Sequence, residues 1–168
     1  MARSRVIWHL PDGVAVALSS MVWFSTSLVV GWWAARWSVE RVSASGPITR
    51  LRPWEAGGRA WQHLTRVQAW KDRLPEAGGA FGGRSKRSIP SRRTEDLQRF
   101  RAETIRAERV HWLVMATSPI YVLWCRPTVA LGMVAFGIGF NAPFIVVQRY
   151  NRGRLEALLD ARRRRTRT

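Results

Sequence analysis

Apolar residues along this chain are gathered into a few long runs, and the first of them carries no charge. Residues 14–35 contain no Asp, Glu, Lys or Arg. At 1.5 Å per residue, a helix of this length crosses a hydrocarbon core about 30 Å thick. The run lacks a small-residue cleavage site and is longer than the apolar part of a signal peptide. We therefore predict an uncleaved transmembrane helix over residues 14–35.

A second apolar region begins near residue 110 and is interrupted once. Residues 110–124 and 128–147 are apolar, and Arg126 and Pro127 lie between them. Charge followed by proline indicates a tight turn, so the two runs predict a helical hairpin in which 110–124 is short for a full crossing. The predicted fold is all-α: an integral membrane protein with about three transmembrane helices.

The region between the spans carries a different pattern. Residues 53–74 place apolar side chains among arginines at helical spacing, which predicts an amphipathic helix in the membrane interface, interrupted at Gly57-Gly58. Residues 74–90 are rich in Gly, Pro, Ser and basic residues and predict a loop. Thr94, followed by two acidic residues, is typical of the N-cap of a helix that enters the membrane.

The charge distribution predicts the topology. The net charge is +17, and of the 28 Lys and Arg residues, 17 lie within 36–109 and 8 within 149–168. Basic loops favour the cytoplasmic side, and each basic residue near anionic headgroups gains about 1 kcal/mol. We predict a multi-pass protein of the cell membrane, with the basic segment and the C-terminus cytoplasmic. Residues 1–155 form one membrane-embedded domain, and 156–168 form a basic, disordered tail.

The most suggestive polar pair lies on the helix after Thr94. Glu108 and His111 are three residues apart and therefore share a face. A carboxylate can hold an imidazole in one tautomer, which makes histidine an effective general base. The alternative is a purely structural pair that anchors the helix at the interface. A metal site is disfavoured, because Glu-x-x-His occurs once and di-iron bundles need a second copy.

Other polar residues mark the last span and its exit. Asn141 lies within the apolar run, where an amide is costly unless it is hydrogen-bonded. The run 148–154 is a dense polar patch. Its arginines either reach lipid headgroups or hold a phosphate or another anionic group of an acyl donor.

Several blocks of the sequence resemble the glycosyl-4,4′-diaponeurosporenoate acyltransferase family. The resemblance covers most of residues 10–155, and its blocks are Trp70-Lys71-Asp72-Arg73-Leu74-Pro75, Gly82-Gly83 with Lys86, Arg99-Phe100, Glu103-Thr104, Arg106-Ala107-Glu108, His111-Trp112, Asn141 with Pro143, Gln148-Arg149-Tyr150-Asn151-Arg152 and Arg154-Leu155. The tail after Leu155 is outside it. The resemblance implies transfer of a fatty acyl group to a sugar hydroxyl of a glycosylated carotenoid or similar glycolipid.

This resemblance and the residue pattern define the candidate site. We take His111 as general base and Glu108 as the residue that orients it. The candidate substrate-binding residues lie in the same blocks: Glu103, Arg106, Trp112, Asn141, Gln148, Arg149, Asn151 and Arg152. From spacing alone, Glu103 and Arg106 also predict a salt bridge. We expect no cofactor.

Two classes of function fit the sequence. The first is a membrane acyltransferase whose partners are a fatty acyl donor, a glycosylated lipid or carotenoid acceptor, and membrane lipids. The second is a non-catalytic membrane protein that binds anionic lipid or nucleic acid through its basic surface. Nucleic acid is the weaker expectation, because membrane topology already accounts for the charge.

Overall fold

The structure is a computed structural model that describes residues 9–74 and 93–166. Within these ranges the chain forms helices and no strand, as the all-α prediction requires. The α-helices are α1 (Asp12–Ala35), α2 (Val39–Ser43), α3 (Arg59–Thr65), α4 (Thr94–Ala116) and α5 (Pro127–Arg165). Nearly all of the predicted 74–90 loop lies outside the described residues.

Two of these helices are long and apolar enough to cross a membrane, namely α1 and α5. The prediction of 14–35 corresponds to α1, and that of 128–147 lies within α5. Most of α1 is exposed, because only 11% of its most apolar stretch is buried against the rest of the protein. Its apolar composition therefore does not come from a role as a core helix.

The predicted helix 110–124 is wrong as a single element. Helix α4 ends at Ala116, and a 3₁₀ helix, Ser118–Leu123, follows it. The break lies at Pro119, which has no N–H for the Met115 carbonyl and whose ring would clash with that carbonyl in a continuing α-helix. A third transmembrane helix is therefore not confirmed. The turn predicted at Arg126 is present, and α5 begins at Pro127, where proline is favoured.

The predicted amphipathic helix 53–74 is also divided. It consists of a 3₁₀ helix Pro53–Gly58, helix α3, and two single 3₁₀ turns, Val67–Ala69 and Lys71–Arg73. Positive φ angles at Gly57 and Gly58 confirm the predicted interruption, and Arg66 adds a second break with φ 50°. The chain here is a compact series of turns that packs on α5 rather than a straight surface helix.

Two boundaries differ from the predictions near the ends of α4 and α5. Helix α4 begins with Thr94 as its first residue, and Arg93 is the N-cap. The residues predicted as a disordered tail continue α5 as far as Arg165. The reason is that Leu155 and Leu159, one turn apart, are buried against Leu97 and Phe100 of α4. This packing extends the antiparallel α4–α5 pair beyond the predicted domain end.

Helix α5 and the 3₁₀ helix Pro53–Gly58 approach each other closely at Gly153. A Cβ atom on Gly153 would lie 2.5 Å from the backbone nitrogen of Gly58 and 2.6 Å from the carbonyl carbon of Gly57. Both neighbours are backbone atoms, so the clash cannot be relieved by moving a side chain. Only glycine fits this position of α5.

We therefore expect Gly153→Ala to destabilise the protein by about 1–3 kcal/mol, the usual cost of overpacking. Gly132→Ala is the matched control in the same helix, because a Cβ atom added there would meet no described residue within 4 Å. Alanine at this position should leave stability unchanged or raise it by about 0.5–1 kcal/mol. Thermal unfolding of both variants in detergent checks the prediction, and equal melting temperatures would contradict it.

Candidate active site

Four charged side chains meet in the interior between α4, α5 and the 3₁₀ helix Pro53–Gly58. We call Glu55, Glu108, Arg149 and Arg152 the buried ion cluster; each is at most 8% exposed. Arg149 bonds Glu108 Oε1 at 2.7 Å and Glu55 Oε2 at 2.9 Å, and Arg152 Nη2 bonds the other oxygen of Glu108. Glu108 is thus held between two guanidinium groups, and Arg149 between two carboxylates.

The cluster compensates its burial internally. Two carboxylates face two guanidinium groups, so the formal charges sum to zero, and charge-assisted hydrogen bonds replace most of those to water. Among the described residues, Arg152 Nε and Nη1 are buried without a partner. The arginines also donate to backbone carbonyls of Ile48 at 3.1 Å, Thr49 at 2.7 Å and Arg50 at 3.1 Å. The segment 48–50 is thereby fastened to α5 and, through Glu108, to α4.

Local sequence explains how the four side chains converge. Arg149 and Arg152 are three residues apart on α5 and share the face that meets α4. Glu55 is the third residue of its 3₁₀ helix, where it accepts from the backbone N–H of Arg52 at 2.7 Å in a capping-box arrangement. The indole N–H of Trp61 donates to its second oxygen at 2.6 Å.

These donors determine the ionisation of Glu55. Burial alone would raise the pKa of its carboxyl group, but the hydrogen bonds from Arg149, Trp61 and the Arg52 backbone outweigh burial and lower the pKa. Glu55 is therefore held as a carboxylate, and its negative charge keeps Arg149 in place.

His111 lies one helical turn from Glu108 and meets α5 at Asn141. Its Nδ1 is 2.8 Å from Asn141 Oδ1, and Asn141 Nδ2 donates to the Gly137 carbonyl at 2.8 Å. Since Nδ2 is the donor of this amide, Oδ1 is the acceptor, which places the proton on His111 Nδ1 and the lone pair of the neutral ring on Nε2. Phe144 stacks on the imidazole with centroids 4.8 Å apart.

The predicted partner of His111, Glu108, has strong partners of its own. The two oxygens of Glu108 bind the cluster arginines, and Oε1 also accepts from Trp112 Nε1 at 3.3 Å. His111 Nδ1 donates to Asn141 Oδ1, and an orienting role of Glu108 on His111 stays a prediction. The charges of two guanidinium groups attract a carboxylate strongly, which accounts for the pairing of Glu108 with α5.

The predicted substrate-binding residues fall into different environments. Glu103 and Arg106 form the salt bridge that their spacing predicts, and Arg106 also donates to the Trp37 carbonyl at 2.7 Å. The guanidinium nitrogens of Arg149 are all hydrogen-bonded within the cluster, whereas Arg152 Nε and Nη1 have no partner among the described residues. Their binding of a donor anion stays a prediction. Gln148 is buried and Asn151 is half-buried on the same helix.

Sequence reasoning missed one member of the cluster, Glu55. A signal was present, because Glu55 is an acidic residue in a segment dominated by arginine and is followed by the only Gly-Gly pair between the predicted 14–35 span and the 74–90 loop. Among the residues that the structure describes, no group of His, Cys, Asp and Glu is arranged to hold a metal ion.

The family described as glycosyl-4,4′-diaponeurosporenoate acyltransferase matches residues 47–161 of the chain. The chain belongs to this family of acyltransferases. The match includes the buried ion cluster, His111 and Asn141. It begins after α1, later than the predicted resemblance from residue 10, and it reaches beyond Leu155 into the predicted tail.

Individual relatives agree with the family assignment. A Staphylococcus haemolyticus (strain JCSC1435) protein of the same name is 39% identical over 119 residues, which are 69% of this chain and 68% of that protein. A Staphylococcus aureus (strain MRSA252) protein with this name is 29% identical over 119 residues, 67% of this chain and 68% of its own. No solved structure gives a significant match. Of the two classes of function that fit the sequence, membrane acyltransferase and non-catalytic binding protein, the family assignment therefore supports an acyltransferase.

The buried ion cluster should control stability in a pH-dependent way. We expect Glu55→Ala to cost about 3–5 kcal/mol at neutral pH, because it leaves Arg149 buried with one carboxylate fewer. Since the folded pKa of Glu55 is lowered, its contribution is complete above the unfolded pKa and is lost as pH falls through the folded one. The difference in melting temperature from the parent protein should therefore shrink in acid.

Glu95→Ala is the matched control, since Glu95 is exposed in the first turn of α4. It should change the melting temperature little at any pH. Thermal unfolding in detergent across the acidic range provides the comparison. A difference between Glu55→Ala and the parent that stays constant with pH would argue against an ionised Glu55 in the folded state.

Proposed function

We propose that this protein transfers a fatty acyl group to a sugar hydroxyl of a glycosylated carotenoid or similar glycolipid, with His111 as the general base. The name that its relatives carry supports the acceptor class. The observation that carries the assignment of His111 is its Nδ1 hydrogen bond to Asn141, which fixes the tautomer a base requires. Within the described residues of the family match, no other histidine has this arrangement with a buried amide.

The proposed step is an acyl substitution. His111 Nε2 accepts the proton of the sugar hydroxyl as its oxygen attacks the acyl carbonyl carbon. A carbon–oxygen bond forms, the bond from the carbonyl carbon to the donor's leaving group breaks, and the proton passes from Nε2 to that leaving group. Asn141 holds the ring through Nδ1 and stabilises the protonated form. Glu108 contributes indirectly, because it keeps α4 and α5 in the register that brings Asn141 to His111.

The proposed setting is the membrane. Helix α1 exposes most of its apolar surface, and both α1 and α5 are long enough to cross. Residues 106–124 contact the chain at both ends of α1: the Leu10 N–H donates to the Trp124 carbonyl at one end, and Arg106 donates to the Trp37 carbonyl at the other. We propose that this segment, part α-helix and part 3₁₀ helix, makes the third crossing. The basic segment and the C-terminus then share the cytoplasmic side.

Replacement of His111 tests the catalytic assignment. His111→Ala should lower ester formation about 100-fold or more, which is the usual contribution of a positioned base. Lipid mass spectrometry of cells that supply the glycosylated carotenoid would measure the acylated product, and immunoblotting of membranes would confirm equal accumulation. His63→Ala is the matched control, because His63 is exposed on α3 and should leave the product level unchanged.

Asn141→Ala separates orientation from proton transfer. Without Asn141 Oδ1, the imidazole is no longer held in one tautomer, but His111 still offers a ring nitrogen as base. We therefore expect kcat to fall less than in His111→Ala and KM to change little. Full turnover by His111→Ala at equal accumulation would reject the role of His111 as base. It would leave the family assignment in place.

A further inference from the structure

A cleft of about 370 Å³ lies where the C-terminal end of α1, the segment before Arg50 and the middle of α4 meet. We call it the tryptophan cleft. The side chains used below are Trp33, Trp37, Ile48, Arg109, Trp112 and Leu113. Its volume falls within the range of roughly 300–1,000 Å³ found for small-molecule sites.

Hydrogen bonds from arginines hold the walls of the tryptophan cleft in place. The segment that carries Ile48 is fastened by Arg149 and Arg152 of the buried ion cluster, through the carbonyls of Ile48 and Thr49. The wall formed by Trp37 is held by Arg106, whose guanidinium group donates to the Trp37 carbonyl. Because these bonds are made by the backbone, the apolar side chains remain available. The cleft is thus formed before anything binds, which lowers the entropic cost of binding.

The chemistry of the lining selects an alkyl chain. Ile48 is 62% exposed, Trp33 51% and Leu113 37%, although all three are apolar. A flexible hydrocarbon chain can bend to cover these side chains, whereas a long rigid polyene cannot bend into a cleft of this volume. An apolar occupant of adaptable shape therefore fits best.

Arg109 gives the cleft a charged edge. Its guanidinium group donates to the carbonyls of Arg41 at 3.2 Å and Ala44 at 2.6 Å, which are neutral acceptors. These bonds leave its positive charge uncompensated, unlike the charges of the buried ion cluster. Such a charge complements a phosphate. A sugar ester of a carotenoid acid is neutral, so the charge favours the acyl donor over the acceptor.

We propose that the tryptophan cleft binds the acyl chain of the donor, a thioester on a water-soluble, phosphate-bearing carrier, with the phosphate at Arg109. This inference rests on the proposed function. A soluble carrier fits because the cleft opens beside the basic segment that follows α1. Trp112, which lines the cleft, follows His111 in α4 and donates to Glu108. The cleft and the proposed base therefore belong to the same turn of α4, on different faces of the helix.

Photolabelling of the full chain in lipid nanodiscs tests the proposal. The probe is the coenzyme A thioester of hexadecanoic acid with a diazirine in its chain, and labelled residues are located by mass spectrometry. We expect labels within residues 33–48 and 109–113, and unlabelled hexadecanoyl-coenzyme A should remove them. Neither result depends on a variant that must fold or on product formation.

Variants sharpen the test. Ile48→Trp and Leu113→Trp each fill the cleft and should lower labelling about tenfold, whereas Leu131→Trp, on an exposed apolar position of α5 outside the cleft, should not. Arg109→Gln should weaken binding about tenfold and reduce its salt dependence, and Arg109→Lys should restore most of the affinity by keeping the charge.

A second probe distinguishes the donor from ordinary lipid. A phosphatidylcholine with a diazirine in one chain should label the exposed faces of α1 and α5, and the thioester should remove any label that this lipid places in the cleft. Labelling of the cleft by this lipid that the thioester cannot displace would overturn the proposal. So would thioester labels spread evenly over α1 and α5. Specific cleft labelling without any acylated sugar product would instead reject the proposed function and leave the binding site standing.

Discussion

The architecture depends on one interaction, the pairing of Glu55 and Glu108 with Arg149 and Arg152 in the interior. Two of these residues lie on α5, one on α4 and one in the turn that follows residue 52. No pair of elements could bury its charge alone, because an unpaired carboxylate or guanidinium in an apolar interior costs several kcal/mol. Three parts of the chain must therefore assemble together. The cluster thus stabilises the fold and also fixes the register of α4 against α5.

The register has a consequence for the polar site. Helices α4 and α5 run antiparallel, so fixing Glu108 opposite Arg149 and Arg152 also fixes what lies one turn nearer the apolar end. There His111 meets Asn141 and Phe144. A slip of α5 by one residue would rotate Asn141 away from the imidazole by about 100°. The buried ion cluster and the histidine thus depend on each other, because the cluster fixes the positions of His111 and Asn141.

Much of this fold could be predicted from the sequence, because apolar runs and turn residues act locally. The limits of α1 and the start of α5 follow from residue order alone. The partner of Glu108 could not be found that way, because Arg149 and Arg152 are some forty residues distant and the local helical spacing indicates His111 instead. The end of α4 is a different kind of error. Pro119 marks it in the sequence, but the apolar character of 110–124 favours one continuous helix.

The structure also changes the meaning of the basic charge. The predicted membrane topology would account for the cations in residues 36–109, but several of them have a second role inside the protein. A guanidinium group offers five donors in a planar fork, so one side chain can bind two separate acceptors while keeping its charge. Arg109 binds two carbonyls in this way, and Arg101 binds the Ser43 carbonyl together with Glu156 of α5. An ammonium group carries the same charge on a single nitrogen and cannot span acceptors so far apart. Arginine therefore supplies the positive charge that suits an anionic membrane surface and can also hold a loop to a helix.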